Sequence, residues 1–295
     1  MTKPVLLVRA SGNAADAAAL ARLGIESVSE PYLDIHEVPG SAGSEAAARL
    51  LSGLARLGTG DWVVATSLNA LVFWHKIVTQ SFDQNLDQIR LETLALKNES
   101  NPESLSKALQ AAQARGVQFA AIGEATAKKY SELGIHEVFT PAVSTAAGLA
   151  EMLLALAQVR TGTAPIALIP LGNLAMPTLT TALDAAGWRR ITEVVYETQT
   201  VPNRPASASG LAGSEFSALL LRSPSAAHAV AHHTGMNQNS AAIQVPVICG
   251  GETTAATART LGFNVQAIAP ATTAEATAQA IFEVLQNVAH LSEGS

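Results

Sequence analysis

The chain has 295 residues, 48% of them apolar, only 4% aromatic, one cysteine and a net charge of −6. That is enough apolar material for one large domain or two ordinary ones. The acidic balance argues against nucleic acid or an anionic membrane as the main partner, and a lone Cys249 permits no internal disulfide.

The N-terminal "MTKPVLLVRAS" is interrupted by Arg9 and reads as no signal peptide, and no run reaches the length of a membrane span. The expected setting is therefore cytoplasmic. "VLLV" at 5–8 is the first expected strand, followed by a helix over about 14–23 that Gly24 stops. "ESVSE" and "YLDIHEV" read as extended, and Ser44 as the N-cap of a helix carrying Leu50, Leu51, Leu54 and Leu57. "DWVVA", "FAAIG", "EVFTP", "IALIP", "SALLL", "PVICG" and "VQAIA" are further strands, each alternating with a helix. Residues 81–116, rich in Gln, Asn and Glu, read as a solvated helical excursion. Cys249 ends a β-branched run, where an inert buried thiol is expected. Strands apolar throughout, alternating with helices, imply an α/β fold with parallel sheets covered on both faces.

The chain also matches itself. "VLLVRASGNAADAAALARLGIESVSEPYLDI" parallels "IALIPLGNLAMPTLTTALDAAGWRRITEVVYET", and "DWVVATSLNA" parallels "FSALLLRSPSA". "FAAIGEATAKKYSELGIHEVFTP" parallels "VPVICGGETTAATARTLGFNVQAIAP". Three blocks, A-B-C, are thus repeated once as A′-B′-C′, which implies two lobes. "YLDIHEV" and "VYETQTV" are too polar for central strands and suit a two-stranded antiparallel connector. The expected division is residues 1–36 plus 202–295 for a discontinuous first lobe and 37–201 for the second. The ladder between them would use residues 30–38 and 193–201.

Ligands of open parallel sheets sit beyond the carboxyl ends of the strands, beside helix N-termini. Thr66-Ser67, Arg222-Ser223, Gly123 to Thr126 and Gly251 to Thr254 fall at four such ends. Backbone N–H groups and hydroxyls there suit carboxylates or phosphates, although Ser67, Thr126, Ser223 and Thr254 would each serve equally as a helix cap. No Walker loop, G-x-G-x-x-G, HExxH, EF-hand loop or G-x-S-x-G elbow occurs. The adjacent His232 and His233 diverge on a helix and read as a solvated helix end rather than a metal site.

The order of "LLVRA", "DWVVATSLNA", "FAAIGEATAKKYSELGI", "ITEVVYETQTV", "LLLRSPSA" and "ICGGETTAATARTLG" resembles the uroporphyrinogen-III synthase family over nearly the whole chain outside 81–116. The resemblance implies two α/β lobes and a lyase that needs no cofactor and no metal. Its substrate would be hydroxymethylbilane, a linear tetrapyrrole with acetate and propionate arms on every ring. Water is lost, ring D is inverted through a spiro intermediate, and uroporphyrinogen III is formed for haem and corrinoid synthesis. The resemblance places the substrate between the lobes. Arg9, Thr66, Ser67, Gly123, Thr126, Ser223, Gly251 and Thr254 would bind it there, and Tyr196, where the A block has Leu33, would help the hydroxyl leave. It further implies a monomer that receives substrate by channelling from porphobilinogen deaminase.

Three features depart from the family pattern. Leu68 stands in place of a frequent proline, "PLGN" at 170–173 lacks a usual arginine, and "CGGETTA" differs from the usual Ile-Gly-Pro-x-Thr-Ala. Arg9, Arg222, Lys128 and Arg259 are candidate compensating cations, each otherwise a solvated charge. The alternative is a non-enzymatic bilobed tetrapyrrole- or anion-binding regulator. A two-lobed sugar or amino-acid binding protein would normally carry an export signal.

Overall fold

The unbroken apolar runs are explained by what lies on each side of them. In a computed structural model, which describes residues 3–84, 104–157, 164–236 and 243–293, every residue of Trp62–Ala65 and of Ala218–Leu221 is buried. Val63 and Ala65 join one apolar cluster while Trp62 and Val64 join another, as alternation along a strand requires. Leu219 and Leu221 divide from Ala218 and Leu220 in the same way. Both faces of each sheet are therefore covered, and neither face needs a polar residue.

The strands are β1 (Val5–Leu7), β2 (Ser27–Ser29), β3 (Leu33–Glu37), β4 (Trp62–Ala65) and β5 (Gln118–Ala121) in the first part of the chain. They continue as β6 (Ile166–Gly172), β7 (Arg189–Thr200), β8 (Ala218–Leu221), β9 (Val247–Cys249) and β10 (Val265–Ile268). The helices that position the site are α1 (Asn13–Arg22), α2 (Gly40–Arg56), α3 (Leu68–Gln84), α4 (Leu105–Ala114) and α5 (Glu124–Glu132). After them come α6 (Ala146–Leu156), α7 (Thr178–Ala185), α8 (Ser207–Ala212), α9 (Pro224–Thr234), α10 (Glu252–Thr260) and α11 (Ala274–Glu293).

The chain divides into two compact units, residues 1–35 with 199–295 and residues 36–198. The sheet of the first runs β10-β9-β8-β1-β2, and its pairs are parallel. That of the second runs β3-β7-β6-β4-β5, parallel from β7 to β5. The hydrogen bonds Val201 N–H to Tyr32 C=O and Val38 N–H to Val195 C=O show that β3 runs antiparallel to β7. The repeat is thus exchanged between the sheets: block A joins B′ and C′ in one, and A′ joins B and C in the other. This is the two-lobed α/β fold with a two-stranded antiparallel connector.

Four local expectations need correction. Helix α2 starts at Gly40, with Pro39 rather than Ser44 at its N-cap, because Gly43, Ala46 and Ala47 are small enough to be buried there. A side chain at Gly43 would run into the Val38 carbonyl. Within the polar stretch 81–116, α4 is part of the core and no solvated excursion, since Leu105, Leu109 and Ala112 are fully buried; residues 85–103 lie outside the described residues. "EVFTP" contributes a single bridge, Ala120 to Phe139, rather than a strand. His233 is buried, with Nε2 2.9 Å from the Val201 carbonyl and its ring edge-on to Tyr32, so it belongs to the packing of its unit. Cys249 is buried, and burial pushes its thiol up to about 11. No described helix is long and apolar enough to cross a membrane.

Glu37 at the end of β3 accepts from Lys76 Nζ at 2.6 Å and from Gln80 Nε2 at 3.3 Å. The Lys76 hydrogen bond, chiefly, holds its carboxyl down at about 2, against an ordinary 4.5. Its folded pKa is depressed, so its contribution is present above pH 4.5 and is lost as the pH falls towards 2. Lys76→Met is expected to flatten the acid limb of a stability-versus-pH curve in that window.

Candidate active site

In the second unit β4 and β5 are neighbours, and their carboxyl ends deliver Thr66-Ser67 and Gly123 side by side. Ser67 is half-buried and caps α3, its Oγ accepting from the Ala70 N–H at 3.0 Å. The same Oγ lies 3.2 Å from the Tyr196 hydroxyl. Thr66 is half-buried beside it. Tyr196 comes from β7, two strands away across β6, and its ring stacks on Phe73 of α3 with centroids 5.6 Å apart. Gly123 enters α5 in extended conformation, and no side chain caps that helix. The Thr126 N–H turns back to the Gly123 carbonyl at 3.1 Å, and the Glu124 and Ala125 N–H groups ahead of it have no intrahelical partner.

The first unit repeats this plan. Ser223 caps α9, accepting from the Ala226 N–H at 3.2 Å, and Ser225 Oγ lies 2.9 Å away. Gly251 at the end of the neighbouring β9 opens α10 with no side-chain cap and with open space where a Cβ would stand. Thr126 and Thr254 are not caps. They sit inside the first turns of α5 and α10 and are 3% and 4% exposed. Glu124 and Glu252 also occupy those first turns and already lend them negative charge.

The arginines are less free than their positions in the sequence suggest. Arg222 is no solvated charge: Nη1 donates to Asp16 Oδ1 at 2.9 Å and to Thr277 Oγ1 at 2.8 Å, and Nη2 donates to the Thr272 carbonyl. Arg9 Nη1 stands 3.9 Å from the other Asp16 oxygen, with its side chain 41% exposed. Two cations therefore share one buried carboxylate. Burial first, and then the Arg222 charge, lower the Arg9 pKa, while burial raises that of Asp16 against the pull of both arginines. Arg259 is exposed and pairs with Glu252 at 3.4 Å.

Of the expected site residues, then, the structure joins Ser67 to Tyr196 directly and sets Thr66, Gly123 and Thr126 on the same and the neighbouring strand end. Arg9, Ser223, Gly251 and Thr254 occupy strand ends of the other unit. Sequence reasoning missed Phe73, Gly172 and Asp16. Gly172 gave no local signal, because it lies beyond the expected strand "IALIP" and only the structure extends β6 to include it. Among the described residues no three His, Cys, Asp or Glu side chains converge as metal ligands.

A family model described as uroporphyrinogen-III synthase HemD matches residues 14–279. The chain belongs to the uroporphyrinogen-III synthase family. No curated protein matches. Solved structures agree in fold at low identity. A mutant uroporphyrinogen III synthase from the extremely thermophilic bacterium Thermus thermophilus is 17% identical, with a TM-score of 0.59 over 96% of this chain and 99% of that one. The uroporphyrinogen-III synthetase of Helicobacter pylori is 17% identical, with a TM-score of 0.54 over 97% and 100%. At the position that answers Tyr196 in the other repeat stands Leu33, a buried apolar side chain with no hydroxyl to offer.

Proposed function

We propose that the chain converts hydroxymethylbilane to uroporphyrinogen III and water, without a cofactor, as a cytoplasmic monomer. The observation that carries this reading is a half-buried phenol, Tyr196, hydrogen-bonded at a strand end within a chain of this family. Thr66, Ser67, Gly123 and Thr126 in one unit, with Arg9, Ser223, Gly251 and Thr254 in the other, bind the acetate and propionate arms. Uncapped N–H groups at α5 and α10 suit such carboxylates. Arg9 is the best-placed cation, because Arg222 already neutralises Asp16.

The chemistry asks little of the protein. Pyrrole nitrogens push out the terminal hydroxyl, and a proton from the Tyr196 phenol lets it leave as water. Ring D then closes through its substituted carbon to a spiro intermediate. The original bridge bond at that carbon breaks and re-forms at the free carbon of the ring, which inverts it, and the proton that the free carbon loses restores the phenol. Holding the arms sets which carbon attacks.

The test supplies hydroxymethylbilane in situ from porphobilinogen deaminase, also the proposed channelling partner, and separates the product isomers. The III isomer is expected. Production of only the uninverted I isomer, at the rate seen without this chain, would defeat the synthase reading. A non-enzymatic tetrapyrrole binder would slow spontaneous closure without producing the III isomer.

A further inference from the structure

The seat of the Tyr196 ring is a place where a side chain is missing. In the parallel pair of β6 and β7, Leu171 faces Val194 but Gly172 faces Tyr196, so the register slips by one residue at Val195. The slip lays the Tyr196 ring across Gly172. A methyl group on Gly172 would stand 2.6 Å from Cε2 and 2.7 Å from the hydroxyl oxygen of Tyr196, and it would also meet Cζ. Such a contact forces the ring to move. The backbone does not ask for glycine there, because Gly172 is not among the residues of positive φ. Space for the ring is the physical reason that remains.

The surroundings fix the same side chain from other directions. Phe73 stacks on the ring at an interplanar angle of 25°, and Ser67 meets the hydroxyl. Asn173, directly after Gly172, donates its N–H to the Tyr196 carbonyl at 3.1 Å. Its side chain accepts from the Thr198 N–H at 2.9 Å and donates to the Thr198 carbonyl at 3.3 Å. The strand pair is thereby tied at Tyr196 and two residues beyond it, at Thr198.

We infer that Gly172 is a positioning residue for the reaction: its bare backbone seats the Tyr196 ring and sets the phenol hydroxyl against Ser67. The inference rests on the role proposed above for Tyr196, and the test keeps the two apart. Gly172→Ala is expected to lower kcat by about 10²-fold with KM changed little, because the hydroxyl is displaced on the scale of an ångström. In a Tyr196→Ala background the ring is gone, and adding Gly172→Ala is expected to change neither kcat nor the thermal midpoint. With Tyr196 present, Gly172→Ala lowers that midpoint. Parental kcat in Gly172→Ala, or an equal loss with and without the tyrosine ring, overturns the inference. If instead Tyr196→Phe keeps parental kcat, the proton-donor role fails by itself. The midpoint cycle then decides the seat: a drop only in the presence of the ring upholds it, and equal drops overturn it.

Discussion

Arg222→Met is expected to lower the stability of the protein by about 3–5 kcal/mol, the cost of breaking a buried pair from one side. Methionine fills much of the arginine stem's volume but leaves Asp16, whose side chain is 4% exposed, with only Arg9 at 3.9 Å. Thr277 and the Thr272 carbonyl lose their donor at the same time, so three elements, α1, α9's entry and α11, come untied together. Asp16→Asn is expected to cost far less, about 1 kcal/mol. Its amide oxygen still accepts from Arg222, and the burial that raises the carboxyl's pKa no longer opposes folding. The sign with pH follows. A carboxyl whose folded pKa lies above the unfolded 3.8 makes the folded state the better proton binder, so stability falls as pH rises through that range. Chemical denaturation of the two variants and their double mutant measures this, and the pair is expected to be strongly non-additive. Equal losses for Arg222→Met and Asp16→Asn would show that the carboxylate, rather than the bare charge left behind, carries the stability. Turnover per folded molecule is expected to survive Arg222→Met, since that guanidinium is committed to Asp16.

The core strands are legible in the sequence because they are buried on both faces, so that β4, β8 and β9 stand as unbroken apolar runs that no alternation disguises. The caps at Ser67 and Ser223 are legible for a local reason as well, because each hydroxyl serves an N–H three residues on. What escapes depends on distant partners or on competing averages. Leu105, Leu109 and Ala112 carry a helical spacing, yet the Gln- and Asn-rich window around them outweighs it. The start of α2 is rich in Gly and Ser, poor helix formers in isolation, and its buried small residues override that preference. His233 gives no sign in its neighbours that Val201 and Tyr32 will enclose it. The same holds for Arg222, whose carboxylate lies 206 residues away in the chain. At the candidate site, Tyr196 is marked by the family resemblance. Its seat is not, because Gly172 and Phe73 meet it only once β6, β7 and α3 are packed.

Tyr196→Phe is expected to lower kcat by about 10²-fold, the lower end of what a positioned proton donor contributes, while KM and stability change little. The structure makes this a clean substitution. Phe73 and Gly172 hold the ring through its carbon framework, which phenylalanine keeps. Ser67 loses one hydroxyl partner but still accepts from the Ala70 N–H, so the start of α3 stays capped. The group is half-buried and water can meet Ser67 when the phenol is gone, so the stability change stays within about 1 kcal/mol. What phenylalanine removes is therefore the one proton that the side chain can give to a departing hydroxyl. Single-turnover measurement with hydroxymethylbilane generated in place reads the step itself, and the fraction of III isomer reads the fold of the bound substrate. A slower reaction that still yields the III isomer would assign proton donation to Tyr196 and ring inversion to the strand ends that hold the carboxylates. A drop in the III fraction at unchanged rate would move the role of Tyr196 from the leaving hydroxyl to the placement of ring D.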